Sequence, residues 1–178
     1  MTKILRTLIY TILFLLNGIV IPSSFAQNWN PAVTTVVHTS NGSVTVTGDA
    51  TIDNLKKSVA GGVVTIPSIS VAIEDLSASV LGVMSVLRGK KFLDADAFPE
   101  MAVNDVTLYS NHVMQGTISI KGKSKVMYAL WTTLPFGKIG VEFNVQLSDF
   151  DIAHKVLFFS IEDKAEVKVE MENPFDTQ

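Results

Sequence analysis

Apolar and polar residues alternate strictly in several stretches of this chain. Ile139, Val141, Phe143, Val145 and Leu147 are interleaved with Gly140, Glu142, Asn144 and Gln146. Ala165, Val167, Val169 and Met171 alternate in the same way with Glu166, Lys168, Glu170 and Glu172. A period of two predicts strands with one dry face and one wet face. Near the start, Val44 and Val46 alternate with Ser43, Thr45 and Thr47, a β-branched stretch. Further strands are expected over Val33 to Thr39, Val63 to Ile73, Val103 to Tyr109, His112 to Lys121 and Val126 to Thr133, with Pro67 marking an edge or a bulge. Asn41-Gly42, Gly61-Gly62, Asn111, Gly122 and Pro135-Phe136-Gly137 supply turns between them. About eight evenly spaced antiparallel strands favour a closed barrel or a sandwich. The expected fold class is therefore all-β.

One stretch follows a helical period instead. Ser79 to Arg88 predicts a short helix, with Ser77 or Ser79 as N-cap and Gly89 just past its end. Val80, Met84 and Leu87 would share a face, extended by Val83 and Val86. Such a helix either plugs one end of the barrel as core or covers a pocket as a lid.

The outward positions carry Glu142, Glu166, Lys168 and Glu170, a charge density that belongs in water rather than lipid. The apolar faces then point inward. Eight strands enclose an interior that side chains can fill or that can hold one small ligand. Alternation reads the same in both cases.

The N-terminus reads as an export signal. Lys3 and Arg6 precede an almost wholly apolar run from Leu8 to Ile21, and Ser24 and Ala26 are small residues at cleavage positions. The apolar run is short for a membrane span. Residues 1–26 are read as a signal peptide and 27–178 as one periplasmic domain of about 150 residues, long enough for a core of its own. With no Cys in the chain, neither a lipid-anchored cysteine nor a disulfide is available. Losing Lys3 and Arg6 takes the formal net charge two units below the −3 of the whole chain. An acidic balance without a basic patch of any size argues against nucleic acid.

The inventory for catalysis is thin. His38, His112 and His154 are isolated, without partners at metal-ligand spacing. Asp94-x-Asp96 starts like a calcium loop but meets Phe98 and Pro99 where a ligand and a glycine are needed. There is no Gly-x-Ser-x-Gly elbow and no Cys nucleophile. Lys121-Gly122-Lys123-Ser124-Lys125 lacks the first glycine of a phosphate-binding loop. It reads as a solvated hairpin turn or, alternatively, as a phosphate contact at a barrel mouth. Arg88, Lys90 and Lys91 are open to the same two readings. No enzyme, cofactor or metal is expected.

Three segments in order carry a resemblance. Phe92-Leu93-Asp94 is followed by Pro99. Gly116-Thr-Ile-Ser-Ile-Lys-Gly-Lys-Ser-Lys125 forms a strand, a tight turn and a returning strand. Leu147-Ser-Asp-Phe-Asp-Ile152 comes later. They resemble the YceI-like family of secreted lipid-binding proteins, whose corresponding elements follow a pattern F-(F/L)-D-x4-P, then G-x-(L/I)-(T/S)-(I/L)-(K/H)-G-x-(T/S)-K, then D-F-G-I. The resemblance spans about residues 43 to 172. It departs at Asp53-Asn54-Leu55, where some relatives show His-Asp-Trp, and over the apolar Ser79 to Arg88 stretch, which tends to be charged in relatives.

The resemblance implies a single eight-stranded lipocalin-like barrel with a short helix near one end. Its interior would be hollow and hold a polyisoprenoid or a quinone-like lipid. The ligand-binding set would comprise the inward Ile118, Ile120, Val141, Phe143 and Val145, with Met84 and Phe92 near the entrance. The alternatives are a structural or stress-related envelope protein with a filled core, and a barrel enzyme acting on a hydrophobic substrate. Either a monomer or a homodimer is compatible with these features.

Overall fold

The computed structural model describes residues 30–53, 61–153, 155–156 and 159–176. The expected signal peptide, His154 and the Asn54-Leu55 part of the departure noted above lie outside the described residues. The chain runs through β1 (Ala32–Thr39), β2 (Gly42–Asp49), β3 (Thr51–Asp53), β4 (Val63–Ala72), β5 (Ser77–Ala78), α1 (Val83–Leu87), β6 (Glu100–Tyr109), β7 (Val113–Ile120), β8 (Lys123–Leu134), β9 (Lys138–Gln146), β10 (Lys155–Val156) and β11 (Phe159–Glu172). Short 3₁₀ turns sit at Ile73–Asp75, Pro135–Gly137 and Leu147–Phe150.

Every pairing is antiparallel, along the order β3-β4-β6-β7-β8-β9-β11-β1-β2-β5, with β10 folded back on β11. This path holds ten strands rather than the expected eight. The two extra strands come from interruptions in two long ones. Ala50 alone separates β2 from β3; β2 pairs with β1, and β3 pairs with β4. On the facing strand the Ile73–Asp75 turn separates β4 from β5, and β5 returns to β2 through Thr47↔Ser77. The extra residues of that turn make a bulge, with Ile73 wholly buried. One broken strand is thereby shared between β1 and β4, and the two ends of the curled sheet meet there.

Local chemistry explains the breaks and turns. Pro67 has no N–H for the ladder, and pairing of β4 with β6 steps over it from Ile66↔Val106 to Ser68↔Asn104. Opposite, Asp105 takes a left-handed φ of 52°, and the β6–β7 register shifts between Asn104 and Thr107. The bulge expected at Pro67 is thus built from both strands. Between β7 and β8, Lys121 (φ 52°) and Gly122 (φ 72°) form a two-residue loop of the kind that suits the twist of a hairpin.

The helix is shorter than its sequence period predicts. Gly82 takes φ 81°, which ends any helical run from Ser79 and leaves five residues, Val83–Leu87. Val80 and Leu81 are exposed, Leu81 completely. Met84, Val86 and Leu87 turn half-buried faces to the barrel.

The interior is two-tiered. In one tier Val64, Ile66, Val106, Leu108, Ile139 and Val141 are wholly buried and close-packed. Trp131 caps this tier: its ring stacks on Phe175 at 5.2 Å and lies 4.3 Å from His112, and its Nε1–H donates to the Tyr109 carbonyl at 3.0 Å. The other tier gathers Phe92, Ile118, Ile120, Val145, Leu147, Phe150, Ile152, Ile161 and Ala165.

Candidate functional site

An apolar cavity lies between the two tiers, lined by Val46, Ile69, Val71, Leu76 and Val169 of the packed tier as well as by residues of the second. Most strands that pass it contribute alternate residues: Val33, Thr35 and Val37 from β1, Ile69 and Val71 from β4, Ile118 and Ile120 from β7, Phe143 and Val145 from β9, and Ile161, Ala165, Val167 and Val169 from β11; β6 contributes Met101, Ala102 and Val103 in a row. Leu147 and Ile152 close in from the segment around the Leu147–Phe150 turn. Leu87, Phe92 and Leu93 enter from the α1 segment and the loop that follows. The cavity has a volume of about 160 Å³, and Thr35 is the sole polar residue in its lining. Among the described residues no polar or charged residue is buried. A space of this chemistry is dry and apolar.

Of the residues expected from sequence, Phe92, Ile118, Ile120, Phe143 and Val145 line this cavity. Val141 shares their face of β9, but it belongs to the packed tier and is 0% exposed. Along the β9 stripe, the cavity begins between Val141, which does not line it, and Phe143, which does. Met84 packs half-buried against the filled tier and does not line the cavity. The lining from β1, β2, β4, β6 and β11 lies beyond the residues expected above. On β11 the alternation of Ala165, Val167 and Val169 carries the signal, whereas β1 reads Val-Thr-Thr-Val-Val and has no such period.

The loop after α1 is rigidly folded. Phe92 N–H donates to Gly89 O at 2.9 Å, Leu93 N–H to Leu87 O at 3.0 Å, and Phe98 N–H to Asp94 O at 2.9 Å. Asp94 adopts φ 51°. Ala153 N–H reaches across to Lys91 O at 2.9 Å, which ties this loop to the segment after the Leu147–Phe150 turn. Phe98 lies against Gly122, where a Cβ would meet its Cε1 at 2.6 Å. The Phe–Pro loop and the Lys–Gly hairpin, separate in sequence, are therefore in contact.

The basic residues of the hairpin have partners. Lys123 Nζ pairs with Asp151 at 2.6 Å, Lys125 Nζ pairs with Asp149, and Lys121 Nζ donates to the Asp151 carbonyl oxygen at 3.1 Å. The Lys123 ammonium, through its hydrogen bond and its charge, lowers the Asp151 carboxyl below its ordinary value, with a smaller contribution from Lys121. The hairpin thus contacts carboxylates of its own chain. Arg88 is committed as well, donating from Nη2 to Glu74 O at 2.7 Å. His38 lies on the outer face with Ser43 and Glu166, and His112 sits beside Trp131.

The sequence profile of the YceI-like domain matches residues 24–173. The chain belongs to the YceI-like family. No curated protein sequence matches it. Among solved structures, BcnA of Burkholderia cenocepacia superposes with a TM-score of 0.57 at 13% identity, covering 79% of this chain and 94% of that one. A cysteine mutant of CJ YCEI protein crystallised with a monobromobimane guest gives a TM-score of 0.51 at 20% identity, covering 69% of this chain and 78% of that one. A second cysteine mutant of the same protein gives 0.52 at 20% identity, with the same coverage. At these identities the neighbours establish the fold. In this YceI-like domain, Asp151 stands where the family's D-F-G-I pattern carries glycine, and it keeps a left-handed φ of 51°. An aspartate tolerates that conformation better than most residues, and here it gives Lys123 a partner.

Proposed function

We propose that this YceI-like domain binds, stores or carries a long apolar lipid, a polyisoprenoid or quinone-like chain, in the apolar cavity of its barrel. The observation that supports this reading is the cavity lining, apolar at every position but Thr35. Burying hydrocarbon contributes about 0.8 kcal/mol per CH₂, so a dry preformed cavity retains a chain without many directed contacts. Thr35 is the one hydroxyl available to a polar group inside. The apolar cavity favours binding over a purely structural envelope role. The apolar lining offers no pair of convergent polar groups, which favours binding over catalysis.

The reading includes export: the mature chain would begin at Gln27 and reside in the periplasm. Native mass spectrometry of protein purified from its envelope fraction without delipidation tests both points. The expected result is a chain beginning at Gln27 with a bound lipid released on denaturation. A lipid-free spectrum, together with no uptake of a labelled isoprenoid alcohol by the delipidated protein, would reject the binding function. Ala165→Phe, which grows a ring into the cavity, should reduce uptake while leaving the protein folded by circular dichroism.

A further inference from the structure

The barrel wall is interrupted along the seam between β8 and β9. β8 is twelve residues long, but only Leu130–Leu134 pairs with β9, at Lys138–Glu142. Below Leu130↔Glu142 the ladder stops. Lys123 to Leu130 stays paired with β7, and Phe143 to Gln146 stays paired with β11. Continuing the register would set Ala129 against Phe143 and Tyr128 against Asn144. Both strands persist there without each other.

Side chains replace the missing ladder. Lys123 and Lys125 are opposite Ile120 and Ile118 on β7, so they share the hairpin's inner face. There they meet Asp151 and Asp149 of the turn that follows β9, and Lys121 adds the Asp151 carbonyl. Phe150, the buried residue of that turn, packs in the cluster that holds Ile118, Ile120 and Val145, with Met127 of β8 against it. Inside the seam, Phe143 and Val145 line the cavity. Outside it, Val126, Tyr128 and Leu130 are 56%, 68% and 67% exposed. An exposed apolar stripe, an unpaired seam and an apolar cavity therefore lie in line. Exposed ion pairs are individually weak, so a closure made of them opens more readily than a ladder.

We propose that the β8–β9 seam is a lateral gate through which an apolar chain enters the cavity. The Lys121–Lys125 hairpin would latch it to Asp149 and Asp151, and Phe150 would be its inner stop. The loading role rests on the lipid-binding reading above; the gate itself does not. The rival route is the end of the barrel beneath α1 and its loop.

The chain has no cysteine, so engineered pairs are unique. In Tyr128→Cys/Asn144→Cys a short bis-maleimide, which adds one cysteine thiol at each end, joins β8 to β9 from outside. In Thr45→Cys/Ser79→Cys the same reagent fixes the segment before α1 to β2, where Ser79 N–H already donates to Thr45 O at 2.8 Å. Stopped-flow fluorescence follows entry and release of nitrobenzoxadiazole-labelled geranylgeraniol. The seam link should slow both rates about tenfold or more at unchanged equilibrium binding, as a blocked gate does. The α1 link should leave both rates as they were. Slowing by the α1 link alone, or by neither, would overturn the gate.

A second measurement needs no lipid. Val145→Cys places a thiol on the cavity wall. Its labelling by a small maleimide should accelerate severalfold when Lys123→Met and Lys125→Met are added. Unchanged labelling would overturn the gate whether or not any lipid binds. Faster labelling in a protein that takes up no probe would uphold the gate and remove the lipid reading alone.

Discussion

Gly122 is the residue at which two sequence motifs become one structure. Its φ of 72° is uncommon for L-residues, and a Cβ there would press into the Phe98 ring. Gly122→Ala should lower stability by about 1–3 kcal/mol in urea unfolding, through backbone strain and displacement of Phe98. A loss no larger than that of Gly42→Ala, which has open space at its Cβ, would show that the contact contributes little. On β9, Phe143 faces the cavity and Glu142 faces water. Phe143→Asp should cost about 2–4 kcal/mol by setting a carboxylate in an apolar lining. Glu142→Lys should stay within about 0.5 kcal/mol of neutral, since its contact with Lys168 is exposed and 3.9 Å long. Equal effects in urea melts would mean that the faces are assigned wrongly. At Asp151 the folded carboxyl titrates below its ordinary value of 3.8. Its ion pair therefore contributes fully above that value and is lost as the pH falls through the lowered one. In the Val145→Cys protein, maleimide accessibility measured by brief acid pulses and labelling at fixed pH should rise only in that acidic range. With Asp151→Asn the rise should already be present at neutral pH.

The strands were legible from sequence to the extent that they separate water from core. β9 and β11 have one charged face and one apolar face, so their period of two is complete; β9 agrees closely with its expected span, while β11 begins at Phe159, ahead of the expected Ala165. β3 and β5 have three and two residues, too few to show a period. They exist because Ala50 and the Ile73–Asp75 turn interrupt longer strands, a tertiary arrangement with no local signature. The helix was over-read because its apolar spacing continues through Gly82, whose left-handed backbone stops it. Val141 and Phe143 mark the limit for the site. They are two residues apart on the same stripe, yet Val141 is sealed in the packed tier, while Phe143 meets empty space. Val141 is paired directly with Trp131 where the β8–β9 ladder is intact, whereas Phe143 lies past the end of that ladder. The lysine–aspartate contacts were hidden for a related reason. Lys125 and Asp149 are 24 residues apart, and the antiparallel return of β9 beside β8 brings the turn after β9 back to the start of β8.

At the scale of the whole molecule, a packed cluster around Trp131 and Phe175 stands beside an apolar cavity that both tiers line. Ala165→Phe should therefore change uptake while that packed cluster keeps the barrel folded. The shared strand that closes the sheet has a different consequence, in time rather than in space. β1 pairs with β11 through Ala32↔Glu170, so the closing contact joins residues from opposite ends of the described chain. A growing polypeptide has no route to the finished ring until residues 159–172 have been synthesised. Contacts so distant in sequence slow the search for the native state. Until that last strand arrives, β1 is paired with β2 along one edge and lacks its β11 partner along the other. The chain is therefore committed to staying open for nearly its whole synthesis, and it then closes late and all at once.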